Sequence, residues 1–269
     1  MDRYPSRIVC LTEETTETLY LLGEERRIVG ISGYTVRPAR ARREKPRVAA
    51  FLSAKTDRIL ALEPDLVLGF SDLQRDIAAE LVRRGLNVMI FNQRSVAEIL
   101  GMVQLLAAMV GAAARGAELV ATLEANLARI RGLAAALPAR PKVYFEEWDE
   151  PMISGIRWVS ELVGIAGGDD VFPELAVSSG AAGRTIADPA EVVRRAPDVV
   201  VGSWCGKKFR PERFAARPGF GSIPAVREQA LFEVKSTDIL QPGPAALTDG
   251  VQQLHAIFAG WAARRPYKR

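Results

Sequence analysis

Two short segments hold the residues with the widest chemical reach. Glu146-Glu147-Trp148-Asp149-Glu150 is a close run of carboxylates, and Trp204-Cys205-Gly206-Lys207-Lys208-Phe209 sets a thiol beside two ammonium groups. Paired carboxylates can serve as general acid and general base. A thiol next to a lysine has the setting that lowers a cysteine pKa and makes a nucleophile or a soft-metal ligand. An enzyme acting on a small molecule would therefore draw on Cys205, Lys207, Glu147 and Asp149. The same groups suit a binding site, where carboxylates accept hydrogen bonds from ligand amides or hydroxyls and lysines meet an anionic edge.

Other chemistries are excluded by what the chain lacks. It holds one histidine, His255, so HExxH proteases and paired-histidine metal centres are ruled out. His255 lies within Asp249–Arg264, whose apolar spacing predicts a C-terminal helix, which gives it a packing or surface role. Two cysteines, Cys10 and Cys205, make neither a disulfide framework nor a CxxC site. The spacing Gly202-x-x-x-Gly206-Lys207 is one residue short of a phosphate loop, and Lys208 stands where that loop needs Ser or Thr. Neither Gly30-Ile31-Ser32-Gly33 nor Gly219-Phe220-Gly221 completes a dinucleotide fingerprint. No catalytic residue, metal or resident cofactor is assigned.

The elements that must position these groups read as α/β. The 269 residues are 48% hydrophobic and 25% charged, with 36 Lys+Arg against 32 Asp+Glu, a net charge of +4. That excess is small and interspersed, so no nucleic-acid-binding face is implied. No stretch reaches the roughly 18 uninterrupted apolar residues of a membrane span. Apolar runs predict strands at Arg7–Leu11, Ile28–Ile31, Leu66–Gly69, Val88–Phe91, Lys142–Phe145, Val199–Gly202 and Leu231–Val234. Several are continuous rather than alternating, as parallel strands covered on both faces should be. Helices are predicted at Thr15–Leu22, Asp57–Ala61, Asp72–Arg84, Val96–Val110, Trp158–Val163 and Pro189–Arg195, and at the C-terminus.

A weak repeat suggests two similar halves. Leu62-Glu63-Pro64-Asp65-Leu66-Val67-Leu68-Gly69-Phe70 in the first half is echoed by Ala196-Pro197-Asp198-Val199-Val200-Val201-Gly202-Ser203-Trp204 in the second. Between them, residues 112–137 are rich in Ala, Leu, Glu and Arg, which predicts one long helix stopped by Pro138 and Pro141. The expected organisation is an N-terminal α/β lobe over 1–111, a stiff bridging helix over 112–137 and a C-terminal α/β lobe over 138–269. Both lobes are Rossmann-like, with mainly parallel sheets and a ligand cleft between them.

In open parallel sheets, ligands bind beyond the carboxyl ends of the strands. The residues just past those ends include Glu14, Thr15, Tyr34, Phe51, Ser53, Phe70 and Asn92 in the first half. In the second they include Glu147, Trp148, Trp158, Trp204, Cys205 and Lys207. Aromatics and hydrogen-bonding groups dominate, which suits a large, flat, partly polar ligand.

In its motifs the chain resembles the cobalamin-binding receptors of ABC importers, within the wider class of helical-backbone receptors for metal chelates. The resemblance rests on Thr15-Thr16-Glu17 after the opening strand, and on Phe51-Leu52-Ser53 followed by Ile59-Leu60-Ala61-Leu62-Glu63-Pro64-Asp65-Leu66-Val67. It continues through Trp158-Val159-Ser160-Glu161-Leu162, Ala166-Gly167-Gly168-Asp169-Asp170-Val171-Phe172 and Pro242-Gly243-Pro244. It covers nearly the whole chain and implies two α/β lobes joined by a long helix, with ligand held between them. Tyr34 and Phe70 fall where such receptors use first-lobe aromatics, and Trp204 falls near their second-lobe tryptophan.

The family docks on its permease through an acidic residue on each lobe. Asp72 or Asp76 fits that role on the first, whereas the matching stretch of the second carries Lys207, Lys208 and Arg210. Gln241 and Ala245 stand where arginine usually brackets the Pro-Gly-Pro motif.

These readings make the chain a non-enzymatic binding protein for a corrinoid or related metal chelate, either an importer's substrate-binding protein or a cytoplasmic relative. Alternatives are a binder of another flat ligand, such as haem, an iron-siderophore or a nucleoside-like base, and the small-molecule enzyme described above. An ABC permease is the possible partner, a monomer is expected, and neither nucleic acid nor membrane insertion is. The sequence as it stands shows no export signal, so a cytoplasmic location is expected, or a periplasmic one if a signal has been removed.

Overall fold

The computed structural model describes residues 3–265 and divides them into two compact units. Unit 1 comprises residues 3–93 and 97–123, and unit 2 comprises 94–96 and 124–265. Each is α/β, with a mainly parallel sheet.

Unit 1 is built on six strands: β1 Ile8–Cys10, β2 Ile28–Ser32, β3 Arg47–Ala50, β4 Ser53–Ala54, β5 Leu66–Phe70 and β6 Val88–Phe91. Their order is β4-β3-β2-β1-β5-β6, and every pairing is parallel except the short β3–β4 hairpin. Strands β1 and β5 are buried along their whole length, as their unbroken apolar runs require. One face of the sheet packs Val9, Leu11, Val48, Ile59, Val67 and Leu81 into a single core cluster. Asp65 fixes the amino end of β5, accepting from the backbone N–H groups of Ser6 and Arg7.

Unit 2 carries β7 Lys142–Asp149, β8 Met152–Ser154, β9 Asp169–Asp170, β10 Val199–Gly202 and β11 Leu231–Glu233. Its order is β11-β10-β7-β8, with β9 pairing the first half of β7. All pairs are parallel but β7–β8. Its core includes a chain of rings in which Trp204, Phe209, Phe214 and Phe220 succeed one another at centroid distances of 5.1, 6.2 and 5.1 Å. Tyr144 joins at Phe214 and holds Phe172 edge-on. Gly202 is needed beside this chain, because a Cβ there would overlap the Phe209 ring.

Several expectations shift. Strand β7 continues to Asp149 instead of stopping at Phe145, because β8 returns antiparallel along Glu146–Asp149. The acidic run is therefore largely strand, not loop. The helix expected over Asp72–Arg84 is a 3-10 turn, Asp72–Gln74, followed by a helix over Arg75–Arg83. The long helix spans Ala113–Ala135, about 35 Å at 1.5 Å per residue. The C-terminal helix proper is Val251–Ala262, and His255 is half-buried there with Nδ1 3.0 Å from the Ala166 carbonyl oxygen. Among the described residues no helix is long and apolar enough to cross a membrane.

Candidate functional site

The carboxyl ends of the unit 1 strands present three exposed apolar side chains. Tyr34 follows β2 and is 59% exposed, Leu52 follows β3 at 68%, and Leu73 follows β5 at 61%. Strands β2 and β3 are neighbours and β1 lies between β2 and β5; water-facing aromatic and branched groups at such strand ends gain by being covered. The loops that bear Leu52 and Leu73 are tied together by one buried side chain. Gln74 donates from Nε2 to the Phe51 carbonyl oxygen at 2.9 Å and accepts from the Phe70 backbone N–H at 2.9 Å. Ser71, at φ +67°, makes the sharp exit from β5 and accepts the Leu73 N–H with its hydroxyl. Phe51 is half-buried, Phe70 is buried, and Ser53 and Asn92 are exposed.

Glu14 and Thr15 begin the helix Glu13–Leu21 and are both buried. The Thr12 hydroxyl donates to Glu14 Oε1 at 2.5 Å, while Thr15 donates to the Thr12 carbonyl. Glu14 Oε2 and Glu13 Oε2 are buried with no hydrogen-bond partner. Loss of water around these carboxyls, reinforced for each by neighbouring glutamates, pushes Glu13 up to about 8 and Glu14 to about 7. Both can thus carry a proton near neutrality. Cys10 lies behind this helix, its thiol pushed up to about 12 by burial, and is no nucleophile.

In unit 2 each carboxylate of the acidic run faces a cation. Glu146 accepts Nη1 and Nη2 of Arg217 at 2.5 and 3.0 Å, Trp204 Nε1 at 3.0 Å and the Tyr144 hydroxyl at 3.1 Å. Glu147 accepts both terminal nitrogens of the buried Arg184, at 2.6 and 3.1 Å. Asp149 accepts Lys207 Nζ at 2.5 Å, and that pairing, against the opposing pull of burial, leaves its carboxyl below the usual range. Glu150 sits 3.8 Å from Arg213.

Unit 2 therefore brings together Trp148, Asp149, Trp204 and Lys207, whereas Glu147 is held by Arg184. The Lys207 ammonium lies 4.1 Å from the Trp148 ring centroid and 5.1 Å from that of Trp204. Trp148 is half-buried and donates Nε1 to the Glu150 carbonyl. Cys205 is exposed and in no disulfide.

Two of the expected binding residues take other positions. Trp158 is enclosed in the unit 2 core and spends its Nε1 on the Ile239 carbonyl at 2.9 Å, so its indole serves packing. Trp204 is only 2% exposed, held edge-on by Phe209 and anchored on Glu146. Asp72 and Asp76 are exposed on unit 1. Among the described residues no group of three or more His, Cys, Asp or Glu is placed to hold a metal ion.

Arg184, Arg217 and Gln74 were not singled out from the sequence. A signal for the arginines was present: carboxylates continuing an apolar strand must find counter-charges. Gln74 left none, because its role depends on the turn that precedes it.

Residues 8–237 match the Periplasmic binding protein family. A Halobacterium salinarum protein named cobalamin-binding protein is 25% identical over 206 residues, covering 75% of this chain and 54% of the relative, so the chain spans about half that relative's length. A Bacillus subtilis protein described as an uncharacterized ABC transporter substrate-binding lipoprotein is 23% identical, covering 93% of this chain and 79% of its own. The periplasmic heme-binding protein RhuT from Roseiflexus sp. RS-1 has the same fold, with a TM-score of 0.81, 23% identity and coverage of 96% and 99%. The match across most of its length places the chain in the Periplasmic binding protein family.

Proposed function

We propose that this chain is a non-enzymatic binding protein for a flat metal-chelate ligand, with a corrinoid as the first choice. The observation that carries this reading is the set of exposed apolar side chains Tyr34, Leu52 and Leu73 past the carboxyl ends of β2, β3 and β5 of one sheet, with Gln74 tying the loops that bear Leu52 and Leu73. A broad, amide-fringed ring covers such a surface and finds hydrogen-bond partners around it. The cobalamin-binding name of the Halobacterium relative points the same way.

The groups an enzyme would use argue against turnover. Glu147 is clamped by Arg184 and Asp149 by Lys207, so neither carboxylate stands ready as a base. Haem is the second reading, favoured by the exposed Tyr34 phenol, since tyrosine is a known haem-iron ligand. The Bacillus relative's description supports a role beside an ABC permease; in that role the chain works as a monomer and the exposed Asp72 or Asp76 is its acidic docking contact on unit 1. Working in import requires a place outside the cytoplasmic membrane; a copy kept in the cytoplasm would carry or store the same ligand.

The test is a pair of titrations, with cyanocobalamin and with haemin, following tryptophan emission and ligand absorbance together. Saturable binding of one, with the ligand recovered unchanged, supports the proposal. A flat response to both, or a chemically altered ligand, overturns it.

A further inference from the structure

The environment of Lys207 is that of a bound cation. Its ammonium has an indole face on either side, Trp148 at 4.1 Å and Trp204 at 5.1 Å, and the Asp149 carboxylate at 2.5 Å. Aromatic faces attract a cation through their quadrupole, and a buried carboxylate supplies the opposite charge. The framework is rigid without the lysine: Trp204 is fixed by Glu146 and Phe209, Trp148 by the Glu150 carbonyl, and Asp149 by its place in β7. The occupant is not. Residues 205–208 are all exposed, the Lys207 side chain is 37% exposed, and Gly206 adopts φ +79°, which gives the loop a hinge.

We propose that Trp148, Trp204 and Asp149 form a subsite for an organic ammonium group, which the chain's own Lys207 fills until such a ligand displaces it. Lysine's ammonium is compact and strongly hydrated, so leaving the subsite costs it little once water can reach it. A methylated ammonium is more weakly hydrated and covers both indole faces, which favours exchange. The tether gives Lys207 an effective concentration on the order of millimolar, so it acts as a built-in competitor that sets a threshold for the incoming cation. This subsite lies wholly within unit 2 and stands whether or not a corrinoid binds.

The probe is tetramethylammonium chloride at constant ionic strength, with tert-butanol as the uncharged isostere. In the unaltered protein, tetramethylammonium should raise the rate at which an amine-acylating reagent labels Lys207, read by mass spectrometry, and tert-butanol should not. Lys207→Met should bind tetramethylammonium saturably by tryptophan emission, roughly tenfold tighter than the unaltered chain. Adding Asp149→Asn should remove most of that gain. Unchanged labelling of Lys207 in the unaltered protein overturns the proposal even if Lys207→Met fails to fold. Equal effects of the cation and its isostere overturn it as well, since they would show an apolar pocket with no preference for charge.

Discussion

Arg217 forks onto Glu146, Nη1 reaching Oε2 at 2.5 Å and Nη2 reaching Oε1 at 3.0 Å, with Glu146 fully buried. The pair is what permits a carboxylate inside the unit 2 sheet, and through Glu146 it holds the Trp204 indole at 3.0 Å. An arginine on a loop after the helix Pro211–Ala215 therefore positions an aromatic just past β10.

Arg217→Met should be costly, because it strands a buried charge. Removing one partner of such a pair typically destabilises by about 3–5 kcal/mol. Replacing both, as Arg217→Met with Glu146→Leu, should recover most of that loss in urea unfolding. The double variant should still show altered tryptophan emission, since Trp204 Nε1 loses its acceptor. A single variant as stable as the unaltered chain would contradict this account.

Gln74 joins the ends of β3 and β5, and Gln74→Leu should separate stability from affinity. It removes the donor to the Phe51 carbonyl and the acceptor for the Phe70 N–H, a loss of about 1–3 kcal/mol for buried groups. Gln74 is not itself exposed. Any fall in ligand affinity must then come from loosened loops, and hydrogen exchange should quicken at 51–54 and 70–74 while β1 and β2 keep their protection. Uniform loss of protection across unit 1 would show global destabilisation instead.

Much of this architecture could be read from the chain because several strands are unbroken apolar runs. Val88–Phe91 and Val199–Gly202 are continuous apolar runs between turn residues, and their observed limits match the expected ones. Strands β3, β4, β8 and β9 had no such signature: they are two to four residues long, and β3 opens on the exposed Arg47. Their existence depends on pairing, which pattern alone does not encode. The candidate site was legible only as a set of strand ends. Which aromatic faces solvent and which fills the core depends on partners far away in sequence, such as Arg217 for Glu146, 71 residues on, and Ile239 for Trp158, 81 residues on.

The exposed surface of unit 1 should be dispensable for folding and needed for binding. Tyr34, Leu52 and Leu73 are mostly in solvent, and substitutions at such positions usually change stability by no more than about 0.5 kcal/mol. Covering an aromatic side chain is worth about 1.5–3 kcal/mol, so Tyr34→Ala should weaken the flat ligand by roughly tenfold or more. Thermal unfolding and ligand titration on the same preparation check both halves. An unchanged affinity in all three alanine variants would move the ligand away from these strand ends.

Glu13 and Glu14 should make the folded state lose stability as pH rises through neutrality. Burial has pushed them to about 8 and about 7, whereas glutamate in an unfolded chain titrates at about 4.3. Between those limits the folded state keeps protons that the unfolded state has released. Their contribution is therefore complete below about 4.3 and declines as pH rises toward the folded values. Asp65 and Asp149 have lowered values and act in the opposite sense, but their gain is complete once pH exceeds their ordinary range of about 4. Burial raises Glu146 and Asp170 as well, and they act in the same sense as the two glutamates, so a variant at Glu13 is what separates its share. At about 1.4 kcal/mol per pKa unit, the decline should reach a few kcal/mol. Urea unfolding at pH 5, 6.5 and 8 measures it, and Glu13→Gln should flatten the slope by removing the group that titrates highest. A midpoint that rises from pH 5 to 8, or a slope untouched by Glu13→Gln, would mean that these carboxyls are already ionised in the fold.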